Sequence, residues 1–423
     1  MAQSQQQSSS ARHPRAYVSV LGTSQMHLRN PVVIALWSAI FPGMGHLLLS
    51  KYIIGTFLFS WEVFINLVSH LNLSIFYTFT GNFDLAKTVL DKRWLLLYVP
   101  TYLFAIWDSY RSTIDLNSLY VLAAREDAPV KPFAMNALGI NHLDRGAPWL
   151  AAVWSMISPG IGQLKIHRIV TAFFLLGWWI VAAYMSKLLP AIHHTMLGQF
   201  DLAKEVADKQ WILNIPSIFF FAIYDAYTNA VESNKLFNWE LAKYLKTEYQ
   251  NKDFRMPFPV REKRGRNMYI VSNFVHSVHL EAAIATLQKQ NIPKSSILAI
   301  PMDKQDDDRM LFDRTHAADR LSLIDLPVIL AAVLSLFGLI YGFELPWGPV
   351  LWALIGTGTG FGIGLWIKLM MVKHSSKAVN RTKSPEVVLL IECEDNQASI
   401  VQDILWKHGA LGVSRLGLED DAS

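Results

Sequence analysis

The chain has 423 residues, 52% apolar and only 17% charged, with 14 Trp and 23 Phe, a balance too greasy for an ordinary soluble protein. Its net charge of +4 is too small to argue for a nucleic-acid partner, and its single cysteine, Cys393, excludes an internal disulfide. The lipid bilayer is the solvent this composition implies.

Residues 1–30 open with a polar, mildly basic run that lacks the apolar core of a cleavable signal, so they read as a disordered tail left in the cytosol. Apolar runs follow at Tyr52 to Leu71, Ile169 to Met185, Leu326 to Phe343 and Gly348 to Val372. Each approaches the roughly 20 residues of a spanning helix.

Self-similarity organises the first half. Trp37-Ser-Ala-Ile-Phe-Pro-Gly-Met-Gly45 returns 117 positions later as Trp154-Ser-Met-Ile-Ser-Pro-Gly-Ile-Gly162. At the same spacing, Gly81-Asn-Phe-Asp-Leu-Ala-Lys-Thr-Val-Leu-Asp-Lys-Arg-Trp94 returns as Gly198-Gln-Phe-Asp-Leu-Ala-Lys-Glu-Val-Ala-Asp-Lys-Gln-Trp211, and Ala105-Ile-Trp-Asp-Ser-Tyr110 as Ala222-Ile-Tyr-Asp-Ala-Tyr227. Three ordered matches at one spacing predict a tandem duplication, with membrane repeats at 31–112 and 148–229 and a cytosolic linker at 113–147.

Each repeat has three parts. A short apolar segment is broken by Pro42, Gly43 and Gly45, or by Pro159, Gly160 and Gly162, since proline removes a backbone bond and glycine permits a turn. A long apolar helix follows, then the polar Phe-Asp-Leu-Ala-Lys stretch. The third part, Trp94 to Tyr110 or Trp211 to Tyr227, is a short span with an aspartate, Asp108 or Asp225, close to its exit.

If the Pro-Gly segment crosses, the two copies are inverted, a known transporter design. If it is re-entrant or interfacial, both Phe-Asp-Leu-Ala-Lys stretches face one side. Their near-identity favours the second arrangement, as does the basic linker at 230–266, whose run ending in Arg266 belongs in the cytosol.

The C-terminal third changes grammar. Residues 267–310 read as strand, helix, strand, and 384–418 repeat that pattern, with a transmembrane hairpin at 325–373 between them. The expected fold is an all-α polytopic membrane protein with a small α+β, ferredoxin-like cytosolic domain split by that hairpin. Gly356, Gly360 and Gly364 fall on one face of the hairpin's second helix, where small residues let another helix approach; a phosphate loop would need water and a preceding strand.

An intramembrane charge costs at least ~2.5 kcal/mol on insertion scales, so it marks a candidate site. Glu62, Asn66, Ser69 and His70 share one helical face; the second copy has Trp179, Ala183, Ser186 and Lys187 there. Two readings stay open: Glu62 is protonated or paired, with Lys187 one candidate, and holds helices together, or it lines a polar cavity for a proton, ion or small ligand. Asp108 and Asp225 occur in both copies and invite pairing with Lys51 and with His167 or Arg168.

His193 and His194, or His276 and His279, lack further ligands at metal spacing, and Asp306, Asp307 and Asp308 read as a solvated linker. No catalytic triad, P-loop or dinucleotide fingerprint is present, so no metal or cofactor is implied.

With its Pro-Gly-x-Gly-His/Gln opening and Asp-bearing helix, each repeat resembles small bacterial membrane domains of two transmembrane helices that open on a Pro-Gly-Leu-Gly-Gln-type motif. The glycine-rich hairpin between soluble halves is similar to membrane-inserted bacterial stress-response proteins. These resemblances imply membrane placement and bacterial origin but no reaction. The chain departs from the first pattern in having His46 in place of Gln and in lacking the aromatic-glycine stretch that usually follows.

The expected protein is thus a multi-pass protein of the cytoplasmic membrane whose partners are lipid and either further copies of itself or another membrane protein. A non-enzymatic scaffold or sensor is the leading expectation, a transporter with Glu62 in its pathway the alternative, and a membrane enzyme the third.

Overall fold

The computed structural model describes residues 12–250, 267–302, 324–373 and 387–416. The acidic run Asp306 to Asp308 and most of the basic linker, 251–266, lie outside them. The described chain is mostly helical, with a small four-stranded antiparallel sheet near its C-terminus. It divides into a helical unit (1–142, 147–232 and 310–377) and a sheet unit (143–146, 233–309 and 378–423).

The helical unit begins with a hairpin, β1 (Ala16–Ser19) and β2 (Gly22–Gln25), where composition reads a disordered tail. Helices α1 (Pro31–Ile40) and α2 (Met44–Leu48) follow. Asn30 caps α1 by accepting from the Val32 and Val33 amides, and Pro31 sits at the first helical position, where its missing N–H costs nothing. The break before α2 needs Gly43, which has φ +94° and whose absent side chain would strike the Gly55 carbonyl and Phe59 amide. Next come α3 (Tyr52–Ser69), α4 (Leu71–Phe79), α5 (Phe83–Val89) and the 35-residue α6 (Lys92–Glu126).

A second hairpin, β3 (Phe133–Asn136) and β4 (Gly139–His142), precedes α7 (Pro148–Ile157), α8 (Ile161–Lys165), α9 (Ile169–Met185), α10 (Leu188–Met196), α11 (Phe200–Val206), α12 (Lys209–Ile212) and α13 (Ile215–Tyr249). These elements follow their counterparts in the first half at a spacing of 117 positions, hairpins included. The glycine contacts follow too: Gly160 has φ +100° and abuts the Ala172 carbonyl and Leu176 amide, the positions that answer Gly55 and Phe59. One element differs. Helix α6 runs unbroken through Pro100, whereas the second half breaks at Leu213 and Asn214, between α12 and α13, and carries Pro216 at the second position of α13.

Two boundaries move relative to the sequence reading. The third part of each half does not end near Tyr110 or Tyr227, because residues 101–127 contain neither Pro nor Gly and α6 continues to Glu126. Most of the expected linker 113–147 is therefore helix and hairpin, and the second linker begins as the end of α13.

Bonds along α6 trace the path of the first half. Arg29 meets Asn117, the Ala39 carbonyl accepts from the Tyr102 hydroxyl, His46 meets Asp108, Lys51 meets Ser112, and the Asp91 amide donates to the Ser69 carbonyl. The α1–turn–α2 segment thus enters from the Asn117 end, descends to Tyr102 and returns to Ser112. At ~1.5 Å per residue, Tyr102 to Asn117 is about 22 Å of α6. Helix α3 alone then runs the length from Ser112 to Asp91.

The sheet unit contains β5 (Asn267–Phe274), α14 (Val278–Lys289) and β6 (Ile297–Pro301). The chain then forms the helical unit's α15 (Asp325–Gly342) and α16 (Gly348–Lys373) before returning as β7 (Val387–Glu394), α17 (Ala398–Lys407) and β8 (Gly412–Leu416). The strand order is β6-β7-β5-β8, every neighbour antiparallel. Ile270, Ile297 and Ile391 lie side by side across three strands and are all buried. Leu280, Ala283, Ile284 and Leu287 form the buried face of α14, and Val401, Ile404 and Leu405 that of α17.

Among the described residues, α3, α15 and α16 are long and apolar enough to cross a membrane. The pair α9 and α10, bent by 61° at Lys187, makes a fourth if counted as one span. Exposed Leu103, Phe173 and Trp366 give this unit an outer surface suited to lipid tails rather than water.

Candidate functional site

Two buried polar systems occupy the helical unit. The first surrounds the aspartates. Asp225 is fully enclosed and accepts from Arg168 Nη1 at 2.5 Å, Gln163 Nε2 at 3.1 Å and Asn229 Nδ2 at 2.9 Å. Arg168 reaches onward to the Tyr52 hydroxyl at 3.2 Å and the Leu47 carbonyl at 3.4 Å, and Arg29 donates to Asn229 at 3.3 Å. The site thus sews α2, α3, α8 and α13 together. An ion pair so enclosed survives only when its remaining hydrogen-bonding capacity is met, as here.

The first half answers residue for residue with weaker groups. His46 stands where Gln163 does, Lys51 for Arg168, and Ser112 for Asn229. His46 Nε2 lies 3.0 Å from Asp108, and Lys51 donates to Ser112 at 2.5 Å, with Ser112 in turn 3.4 Å from the carboxylate. Of the expected pairs, Arg168 with Asp225 forms directly, whereas Lys51 reaches Asp108 only through Ser112. His167 has φ +53° and takes no part, because the turn before α9 points Arg168 inward.

The second system lies along α3. Asn66 Nδ2 donates to Glu62 at 3.4 Å and to Asn72 at 2.9 Å. Gln210 Nε2 donates to Asn66 Oδ1 at 2.7 Å, and Asn72 reaches Asn214 at 3.2 Å. The Tyr98 hydroxyl of α6 lies near the Glu62 carboxyl, whereas the Tyr102 hydroxyl donates to the Ala39 carbonyl.

The expected stripe therefore breaks. Glu62 and Asn66 stay together, Ser69 is buried next to the helix end, and His70 turns outward, because its φ of +55° ends α3. Lys187 is exposed and makes no bond with Glu62. The carboxyl instead accepts a long bond from Asn66, and its Oε2 is buried without a hydrogen-bond partner.

Sequence reasoning missed Asn72, Tyr98, Gln210, Asn214 and Arg29. Ser112 and Asn229 were within reach of it, since they sit 117 positions apart and one helical turn beyond the two aspartates. Nothing local pairs Tyr98 with Glu62.

The hairpin glycines divide by face. A methyl at Gly356, Gly360 or Gly364 would run into the α15 backbone at Leu334, Leu330 or Pro327, while Gly358 and Gly362 face open space. Close approach of backbones is what such spacing gives. Gly45 and Gly162 are likewise pressed against Ser38 and Ser155.

At the polar C-terminal end of α6, beyond its apolar part, Glu126 binds the His13 amide at 2.8 Å and its imidazole at 2.5 Å, and those contacts lower its carboxyl below the ordinary value. Burial raises Glu281 on α14. Among the described residues, no three His, Cys, Asp or Glu side chains converge as a metal site would require. An apolar groove of about 500 Å³ opens between α3 and α6, lined by Ile53, Phe57, Pro100 and Phe104.

Comparison with protein-family models, with curated proteins and with solved structures finds no match to this chain.

Proposed function

We propose that this protein is a non-enzymatic membrane scaffold or sensor. Its body is a duplicated helical unit in the cytoplasmic membrane, and its sheet unit, of ferredoxin-like topology, binds a partner or ligand on the cytosolic side. The observation that carries this reading is a strand pairing. β7, which follows the hairpin, pairs with both β5 and β6, which precede it. One sheet is thereby assembled from strands on both sides of α15–α16 in the chain, so both ends of the hairpin lead into the same sheet. That arrangement needs no catalytic group.

The duplication is supported by the common 117-residue spacing of elements and by the matching contacts of Gly43 with Gly160. We take each Pro-Gly segment as re-entrant, since α1 and α2 enter and leave α6 at the same end. With α6 and α13 counted as spans, the chain crosses six times. Both Phe-Asp-Leu-Ala-Lys helices then face one compartment, in keeping with the bonds from Asn72 to Gln210 and Asn214. Thiol labelling of Asn82→Cys and Gln199→Cys in intact cells tests this: labels entering from opposite faces reject the arrangement.

One observation favours transport instead. Glu62 is an enclosed carboxyl with the Asn66 amide and the Tyr98 hydroxyl beside it and a buried Oε2 that has no hydrogen-bond partner, an arrangement suited to taking up a proton or small cation. Reconstituted vesicles decide between the two. A proton or ion flux abolished in Glu62→Gln favours the transporter. A cytosolic protein or ligand retained by the full chain, and lost when the sheet unit is disrupted, favours the scaffold.

A further inference from the structure

The two halves of the helical unit join through a surface that each half possesses but only one uses. Trp37 of α1 is 0% exposed, packed edge-on against Phe221 at 5.5 Å and against Tyr224 at 5.2 Å, both on α13. The counterparts at the 117 spacing are Trp154 on α7, and Phe104 and Trp107 on α6. These are 41%, 46% and 54% exposed. The same holds along the seam. Asn72 binds Asn214, while Leu189 and Leu97 at the corresponding positions are both exposed. Phe59 packs on Trp178, while Trp61 stacks on exposed Phe57 of its own helix.

The contact between the halves is therefore head-to-tail. Each chain keeps one complementary face free at either end: the α7 face of the second half and the α3–α6 face of the first. The groove between α3 and α6 lies within the latter. A heterologous contact of this kind closes into a ring where its rotation allows and otherwise extends as a filament.

We propose that a second copy of this chain covers these faces, Trp154 of each protomer packing against Phe104 and Trp107 of the other, so that two chains close one ring of four half-units. The occupant is indicated by the internal interface: the chain already contains one contact between faces at these corresponding positions, with a Trp at its centre. This inference rests on the duplicated-unit reading above.

The test uses the full chain in lipid nanodiscs, with Cys393→Ala as background. A mixture of Trp154→Cys chains and Phe104→Cys chains should join through a short bis-maleimide, neither variant joining to itself, and the particle mass should be that of two chains. Trp154→Ala alters an exposed residue, so folding should survive while the dimer weakens tenfold or more. Within one chain, Trp37→Cys with Phe221→Cys should also link. If that control fails in a folded chain, the duplicated-unit reading is at fault. If it links while the particle has the mass of one chain, or of more than two, or while Trp154→Cys joins to itself, the proposed dimer is overturned.

Discussion

Arg168 and Asp225 stand 2.5 Å apart with both side chains sealed from solvent, whereas their counterparts Lys51 and Asp108 meet only through Ser112. Positions that correspond at the 117 spacing thus carry two electrostatic regimes. The enclosed pair has four additional bonds around it; the other half replaces it with a histidine contact and a hydroxyl relay.

Removing one member of the enclosed pair leaves a buried charge without its partner. Asp225→Asn should cost about 3–5 kcal/mol, and Lys51→Met only about 0–1 kcal/mol. Thermal unfolding in detergent checks both. Equal losses would contradict the asymmetry.

The hairpin glycines make a cleaner comparison. Gly360→Ala forces a methyl into the Leu330 carbonyl and should destabilise by about 1–3 kcal/mol, while Gly358→Ala points into open space and should stay within about 0.5 kcal/mol of the parent. Helicity during thermal melting reads the difference.

Acid should release the N-terminal segment. Because the folded Glu126 carboxyl titrates below its ordinary value, near pH ~4.3, its contribution is present above that value and is lost as pH falls through the lowered one. Protection of the His13 amide, its exchange rate taken relative to the intrinsic rate at each pH, should therefore fall in that acid range, and Glu126→Gln should remove that fall. Protection that holds through the acid range would contradict the assignment.

In the sheet unit, Ile391 is fully buried on the central strand β7, between β5 and β6. Ile391→Ala should cost about 2–5 kcal/mol and expose both halves of the unit to protease. Cleavage confined to 387–416 would show that β5 and β6 hold together without β7.

Much of this architecture can be read before any fold is known. Apolar run length follows from bilayer thickness, so α3, α15 and α16 announce themselves. The strand-helix-strand patterns on either side of the hairpin are legible because strand and helix periodicities differ. The common spacing of 117 marks the paired Pro-Gly turns and aspartates without reference to any contact.

What local sequence could not supply is partner choice. The hairpins β1–β2 and β3–β4 share little beyond Leu-Gly at 21–22 and 138–139, and short strands leave a weak period. Glu62 was visible as a charge in a greasy run, yet only packing brought Tyr98 to it in place of Lys187. The sequence determined where lipid-compatible segments lie and that they recur, because those properties depend on hydrophobicity and spacing along the chain. Tertiary structure decided that Trp37 is buried and Trp154 exposed, since identical residues acquire different surroundings once the two halves join head to tail.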